Sequence, residues 1–112
     1  MKLKLPFPIS VNKLYRSGRN NRRYKTQEAV SWQEEVLWLI KSQSRNQSKP
    51  VGNTIYVSFY KPFTRKWDSN NYIKILYDTL ELAGIIKNDA DITYEQIQKI
   101  QSEKEYCEVE IL

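Results

Sequence analysis

The sequence predicts a small mixed α/β domain, an α+β fold in which two helices pack on one mixed sheet in the order strand, helix, strand, helix, hairpin. Three observations predict it. Apolar residues alternate in Leu3-Leu5-Phe7, in Ile55-Val57-Phe59 and in Cys107-Val109-Ile111, the period of half-buried strands. Two intervening stretches, running from Thr26 to about Ser44 and from Asp68 to Gly84, carry apolar residues at helical spacing instead. The chain has 112 residues, enough for one core, so residues 1–112 are expected to form a single domain.

The first strand is Lys2 to Phe7; Pro6 and Pro8 end it and suit an edge position. Ser10 to Lys25 is polar, basic and carries Gly18, and reads as a loop. Thr26 is a suitable N-cap for the first helix, whose inward positions are Ala29, Trp32, Val36, Leu39 and Ile40. Gln43 to Pro50 is a polar connector. Ile55 to Tyr60 is the clearest strand, stopped by Pro62. Asp68 or Ser69 caps the second helix, its buried stripe is Ile73, Leu76, Tyr77, Leu80 and Ala83, and Gly84 ends it. Ile92 to Gln101 reads as either helix or strand. Taken as a strand, it would form a hairpin with Glu105–Leu112 through a turn at Ser102-Glu103-Lys104.

Composition narrows the function. The net charge is +5, which favours an acidic partner, nucleic acid before membrane. The charge is local. No Asp or Glu precedes Glu28, whereas Lys2, Lys4, Lys13, Arg16, Arg19, Arg22, Arg23 and Lys25 all do. The C-terminal stretch reverses the sign with Glu103, Glu105, Glu108 and Glu110. A single cysteine, Cys107, excludes an intramolecular disulfide and fits a cytoplasmic protein. The N-terminus has no apolar leader core and no run is long enough to span a membrane. There is no histidine, which excludes the usual zinc sites and histidine acid/base chemistry. Catalysis would have to use carboxylates, lysine, tyrosine or a hard metal.

Chemistry concentrates between Asp68 and Asp91. A basic turn, Arg65-Lys66, precedes Asp68-Ser69-Asn70-Asn71, which opens the second helix. Asn70, Lys74 and Asp78 are spaced four apart and share a stripe. Beyond the helix lies Asn88-Asp89-Ala90-Asp91; if extended, Asp89 and Asp91 would point to the same side. A hard cation such as Mg²⁺ needs only one or two carboxylates, with water and substrate phosphate completing its shell, so acids converging on a basic surface suit phosphodiester hydrolysis. A purely local reading also accounts for these residues: Asp68 as an N-cap, Asp89 to Asp91 as a turn. The loop from Lys13 to Lys25 is the candidate phosphate-contacting surface, with Tyr15 and Tyr24 available for stacking and Arg65 and Lys66 as a second contact. The alternative is a solvated run of charge. Trp32, Trp38 and Trp67 are expected to serve structure, as core or subunit contacts, with Trp67 also placed to cover the helix start or to wedge against unpaired bases.

The chain resembles the RusA family of Holliday junction resolvases over nearly its whole length. Leu5-Pro6-Phe7-Pro8-Ile9-Ser10-Val11-Asn12-Lys13-Leu14-Tyr15-Arg16 is similar to the family's opening. Arg65-Lys66-Trp67-Asp68-Ser69-Asn70-Asn71-Tyr72-Ile73-Lys74 is similar to its basic turn, Asp-x-Asp-Asn and following lysine. Asp78-Thr79-Leu80 through Ala83-Gly84 to Asp89 resembles its Asp-Ala-Leu, Ala-Gly, Asp-Asp run. The resemblance implies a Mg²⁺- or Mn²⁺-dependent endonuclease of DNA recombination and repair, bacterial or prophage-encoded. It would work as a homodimer on four-way junction DNA and leave paired symmetric nicks. It implies that Asp68 and Asp89 bind metal, that Lys74 is the essential lysine and that Asn71 braces the helix start. The expected DNA-contacting residues are Asn12, Lys13, Tyr15, Arg16, Arg19, Arg22, Arg23, Lys25, Arg65 and Lys66. One position departs: the family's second aspartate is Asn70 here, a neutral carbonyl ligand where a charge is expected. Three readings follow: an introduced change that disarms the site, compensation by Asp91 or Asp78, or a naturally inactive junction binder. A metal-dependent nuclease acting on flaps or RNA is the remaining alternative.

Overall fold

The computed structural model describes residues 1–18, 22–44 and 50–112. Its elements are β1 (Lys2–Pro6), a 3-10 turn (Val11–Lys13), β2 (Tyr15–Ser17), β3 (Arg23–Lys25), α1 (Gln27–Ser44), β4 (Thr54–Lys61), α2 (Asn70–Leu82), a second 3-10 turn (Asp89–Asp91), β5 (Tyr94–Gln101) and β6 (Tyr106–Ile111). Four strands make a mixed sheet in the order β1-β6-β4-β5, and β2 pairs with β3 as a separate ribbon. The α+β class and the sequential order of helices and main strands are as the sequence predicts.

Period-two alternation places the core. Leu3, Leu5, Ile55, Val57, Phe59, Cys107, Val109 and Ile111 are all buried on one face of the sheet. Ala29, Trp32, Val36 and Ile40 of α1 and Ile75, Leu76, Tyr77 and Leu80 of α2 belong to the same cluster. Leu39, Ile73 and Ala83 pack only partly against it. Trp38, by contrast, is 68% exposed and is no part of the core. Among the described residues no helix is long and apolar enough to cross a membrane.

Local signals fix the helix ends. Thr26 Oγ1 accepts from Ala29 N–H at 3.2 Å and donates to Lys13 O at 2.7 Å, so the N-cap also anchors the preceding segment. At the end of α2, Gly84 has φ +76°. Gly84 N–H donates to Glu81 O and Ile85 N–H to Leu80 O, both at 3.0 Å, a Schellman closure with buried Ile85 beneath it.

Three expectations change. The last two strands form but do not pair with each other: β4 lies between them, parallel to β5 and antiparallel to β6. The physical reason is that β4 carries the most apolar alternation and is stabilised by partners on both sides. The α2 crossover returns the chain parallel to β4, and the bend after β5 carries it across β4, where Ser102 N–H bonds Lys61 O at 3.2 Å. Second, the described residues of the stretch expected as a plain loop from Ser10 to Lys25 include a 3-10 turn and the β2-β3 ribbon. Third, Asp89 to Asp91 is not extended. It forms a 3-10 turn capped by Asn88, whose Oδ1 accepts from Ala90 N–H at 2.8 Å, so Asp89 and Asp91 do not alternate as on a strand. Arg19 and the part of the expected connector from 45 to 49 lie outside the described residues.

Candidate nucleic-acid cleft and the flank of α2

A cleft of about 610 Å³ opens where the segment after β1 faces the turn between β4 and α2. Ser10, Asn12 and Lys13 line one wall and Arg65, Lys66, Trp67, Asp68, Asn71 and Tyr72 the other; Lys61, Glu28 and Glu105 also contribute, so four cations and three acids line the cleft. Each wall is held by local bonds. Ser10 Oγ accepts from Asn12 N–H at 3.3 Å, and Lys13 is tied to Thr26 as above. On the opposite wall, Asp68 Oδ1 accepts from Asn70 N–H at 3.0 Å and Asp68 O from Asn71 N–H at 3.1 Å. Asp68 therefore caps α2, while Ser69, in the helical region, makes no side-chain cap bond. The cap and a part in the cleft are compatible, because the Asn70 bond uses one carboxylate oxygen and Asp68 remains exposed.

Aromatic packing fixes that turn. Trp67 meets Phe63, Phe7 and Tyr72 edge-on at 5.9 Å each. Lys61 Nζ sits 5.1 Å from the centre of Phe7 and 5.5 Å from that of Tyr72, and bridges to Glu105 at 3.7 Å. Lys99 Nζ lies 5.1 Å from the Trp67 ring centre and donates to Trp67 O at 3.0 Å. Cations on aromatic faces stabilise this cluster electrostatically, and its rigidity sets where Arg65, Lys66 and Asp68 project.

The other candidates are distributed along α2 and beyond. Asn70 is exposed at the first position of the helix. Lys74 Nζ lies 3.4 Å from Asp78 Oδ2, one turn on. Asp89 stands near Tyr77, whose hydroxyl donates to Glu95 Oε2 at 2.6 Å. Burial pushes the Tyr77 phenol far above its ordinary range; the Glu95 hydrogen bond and the charges of Glu95 and Asp89 push it further. Asp91 lines a different groove, with Asn53 and Lys87. Lys74, Asn70, Asp89 and Asp91 are not in the lining of the basic cleft. Among the described residues no group of three or more His, Cys, Asp or Glu side chains is placed to hold a metal.

In the ribbon, Arg16, Arg22 and Arg23 are exposed and Tyr15 is half-buried, with the Arg23 guanidinium 4.9 Å from its ring centre. Lys25 is exposed too, but its Nζ donates to Gln33 Oε1 at 2.9 Å, and Gln33 Nε2 donates to buried Thr79 Oγ1 at 3.0 Å. That chain of bonds links the ribbon to both helices. Sequence reasoning missed Glu95 and its Tyr77 partner. The signal was present: strand periodicity puts Glu95 on the face of Ile97, where an acid calls for a donor.

The family model described as Endodeoxyribonuclease RusA matches residues 6–112. This chain belongs to that family. A crossover junction endodeoxyribonuclease RusA of Aquifex aeolicus (strain VF5) is 29% identical over 104 residues, covering 91% of this chain and 80% of that protein. RusA proteins of the same description from Escherichia coli (strain K12) and Enterobacteria phage 82 are each 27% identical over 96 residues, covering 86% of this chain and 79% of their own. RusA membership extends over both walls of the cleft, from Pro8 to Tyr72, and over the flank that carries Lys74, Asp89 and Glu95.

Proposed function

We propose that the chain is a structure-specific DNA endonuclease that resolves four-way junctions by metal-dependent phosphodiester hydrolysis. In this reading it acts as a homodimer that nicks two strands symmetrically, in the bacterial cytoplasm, encoded by the cell or by a prophage. The observation that carries the reading is the basic cleft that ends on Asp68, with Lys13 on one wall and Arg65 and Lys66 on the other, in a chain of the RusA family. Basic side chains on both walls guide a phosphate backbone to a carboxylate. A two-fold junction cut symmetrically needs two such sites, hence the dimer.

Asp68, beside the Asn70 carbonyl, would supply oxygen donors for Mg²⁺ or Mn²⁺ at the cleft, and Asp89, which the fold sets outside that lining, is a proposed donor on the family likeness alone. The set is all oxygen with few carboxylates, which fits a hard cation that keeps water and phosphate oxygens in its shell and does not fit an all-protein cage. When bound, the ion supplies an activated water and neutralises charge on the scissile phosphate. Lys74 stabilises the negative charge that develops on the phosphoryl oxygens, after exchanging Asp78 for the substrate. Asp68 holds the start of α2 and presents its free carboxylate oxygen to the cleft. Asp91, in its separate groove, is not part of the proposed donor set.

Cleavage of a mobile four-way junction tests this, using the chain itself, Asn70→Asp and Asp68→Asn over a range of Mg²⁺ and Mn²⁺ concentrations. The expected result is cleavage by the chain, a lower half-saturating metal concentration in Asn70→Asp, and a loss of about a hundredfold or more in Asp68→Asn. Preference for linear duplex, flaps or RNA would overturn the junction assignment. A second reading, junction binding without cleavage, is favoured by Asn70, a neutral amide where the family pattern carries its second aspartate. Tight junction binding with no cleavage by the chain or by Asn70→Asp would establish it, and cleavage by Asn70→Asp alone would identify a disarmed site.

A further inference from the structure

The two edges of the sheet are treated differently. At β1, Gln43 from the last turn of α1 occupies the edge like a strand residue: Lys4 N–H donates to Gln43 Oε1 at 2.9 Å, and Gln43 Nε2 donates to Lys4 O at 3.0 Å. At the opposite edge, β5 has only β4 as a partner among the described residues. It is eight residues long, contains no proline and is exposed along most of its length, and an edge of that kind is a template for another strand.

We propose that β5 pairs antiparallel with β5 of a second copy about a two-fold axis at Ile97, joining the two sheets into one. The inference deepens the homodimer reading and rests on it only for the second copy. The strand is complementary to itself in this register. Ile97 faces its own symmetry mate, Gln96 faces Gln98, Tyr94 faces Ile100, and Glu95 of each copy faces Lys99 of the other. Opposite residues in an antiparallel pair share a face. Here Glu95, Ile97 and Lys99 share the face of Ile55, Val57 and Phe59, their partners on β4. Two opposite-charge pairs therefore flank an apolar centre.

The register is specific. A slip of two residues sets Glu95 against Ile97 or Gln101 and loses both charge pairs. A slip of one sets helix-side residues of one copy against open-face residues of the other. Charges on the buried side of an edge repel a strand that cannot match them, and this strand matches them itself. Both are held in place beforehand, Glu95 by the Tyr77 hydroxyl and Lys99 by Trp67 O, which lowers the ordering cost of association.

Sedimentation velocity on the full chain over a concentration series tests the pairing. The expected result is a dimer whose dissociation constant rises about tenfold or more in Lys99→Glu and in Glu95→Lys, because two like-charge pairs replace two attractive ones. The double variant Glu95→Lys/Lys99→Glu should return it to within about threefold, a rescue that a folding defect would not produce. On the open face, Gln96→Cys/Gln98→Cys should give a disulfide-linked dimer on oxidation, with buried Cys107 taking no part. A wild type that stays monomeric, or single reversals that leave the dissociation constant unchanged, would overturn the pairing. Junction cleavage by a dimer insensitive to the reversals overturns the edge pairing and leaves the functional reading intact. A charge-dependent dimer that neither binds nor cleaves junctions does the reverse.

Discussion

Tyr77 and Glu95 tie α2 to the edge strand: the phenol donates to the carboxylate at 2.6 Å, across 18 residues of sequence that include the whole Asp89 turn. The hydroxyl is the only polar atom of a ring otherwise committed to the core. Its bond ties the middle of α2 to the start of β5. Replacing Tyr77 by Phe keeps the apolar burial and removes the donor. The expected cost is about 1 kcal/mol, read as a lower urea midpoint at unchanged slope.

Cys107 gives the protein an alkaline weakness. Burial, assisted by the charge of Glu108, pushes its thiol up from 9.0 to about 12. The core holds the neutral thiol, so its contribution to stability is complete below pH 9.0 and is lost as pH rises towards about 12. Denaturation curves above pH 9.0 should show a decline that is smaller in Cys107→Ala. Below that pH, thiol reagents should modify Cys107 only on unfolding.

The cleft makes a salt-dependence prediction. Lys13→Ala and Arg65→Ala each remove one wall cation. If each meets one phosphate, the slope of log affinity against log salt should become shallower by about 0.9 per substitution, measured with junction DNA. Lys104→Ala, outside the cleft lining, should leave the slope unchanged. Equal slopes for all three proteins would remove the cleft from the DNA-binding surface.

Gly84 is required by conformation and not by space. Its φ is +76°, yet a Cβ there would meet nothing within 4 Å. Gly84→Ala should therefore cost only the left-handed backbone penalty, about 1 kcal/mol, and Gly84→Asn less, since asparagine tolerates that region. Thermal unfolding of the two variants separates them.

The helices were legible because their signals are local. Thr26, Asp68 and Gly84 act on neighbours within a few residues, and the spacing of Ala29, Trp32, Val36 and Ile40 reads directly as one buried face. Part of the candidate site was legible for the same reason: Asp68 and Asn71 sit in one turn, and Arg65 and Lys66 beside them. The partnership of that turn with Asn12 and Lys13 was not, since more than fifty positions of sequence separate the walls and tertiary packing, such as that of Phe7 against Tyr72 at 4.8 Å and Trp67 at 5.9 Å, brings them together.

By itself the sequence determined the two helices and strands β1, β4 and β6, where the basic charge lies, and the family to which the chain is similar; it left Ile92 to Gln101 open between helix and strand and did not show the β2-β3 ribbon. Tertiary structure alone decided which strand lies next to which. Alternation in β5 and β6 says which face each strand buries and nothing about its neighbour. The central place went to β4, whose Ile55, Val57 and Phe59 are buried with partners on both sides. The same long-range choice left β5 at the edge, turned Glu95 towards Tyr77, and distributed the acids between the basic cleft and the far flank of α2.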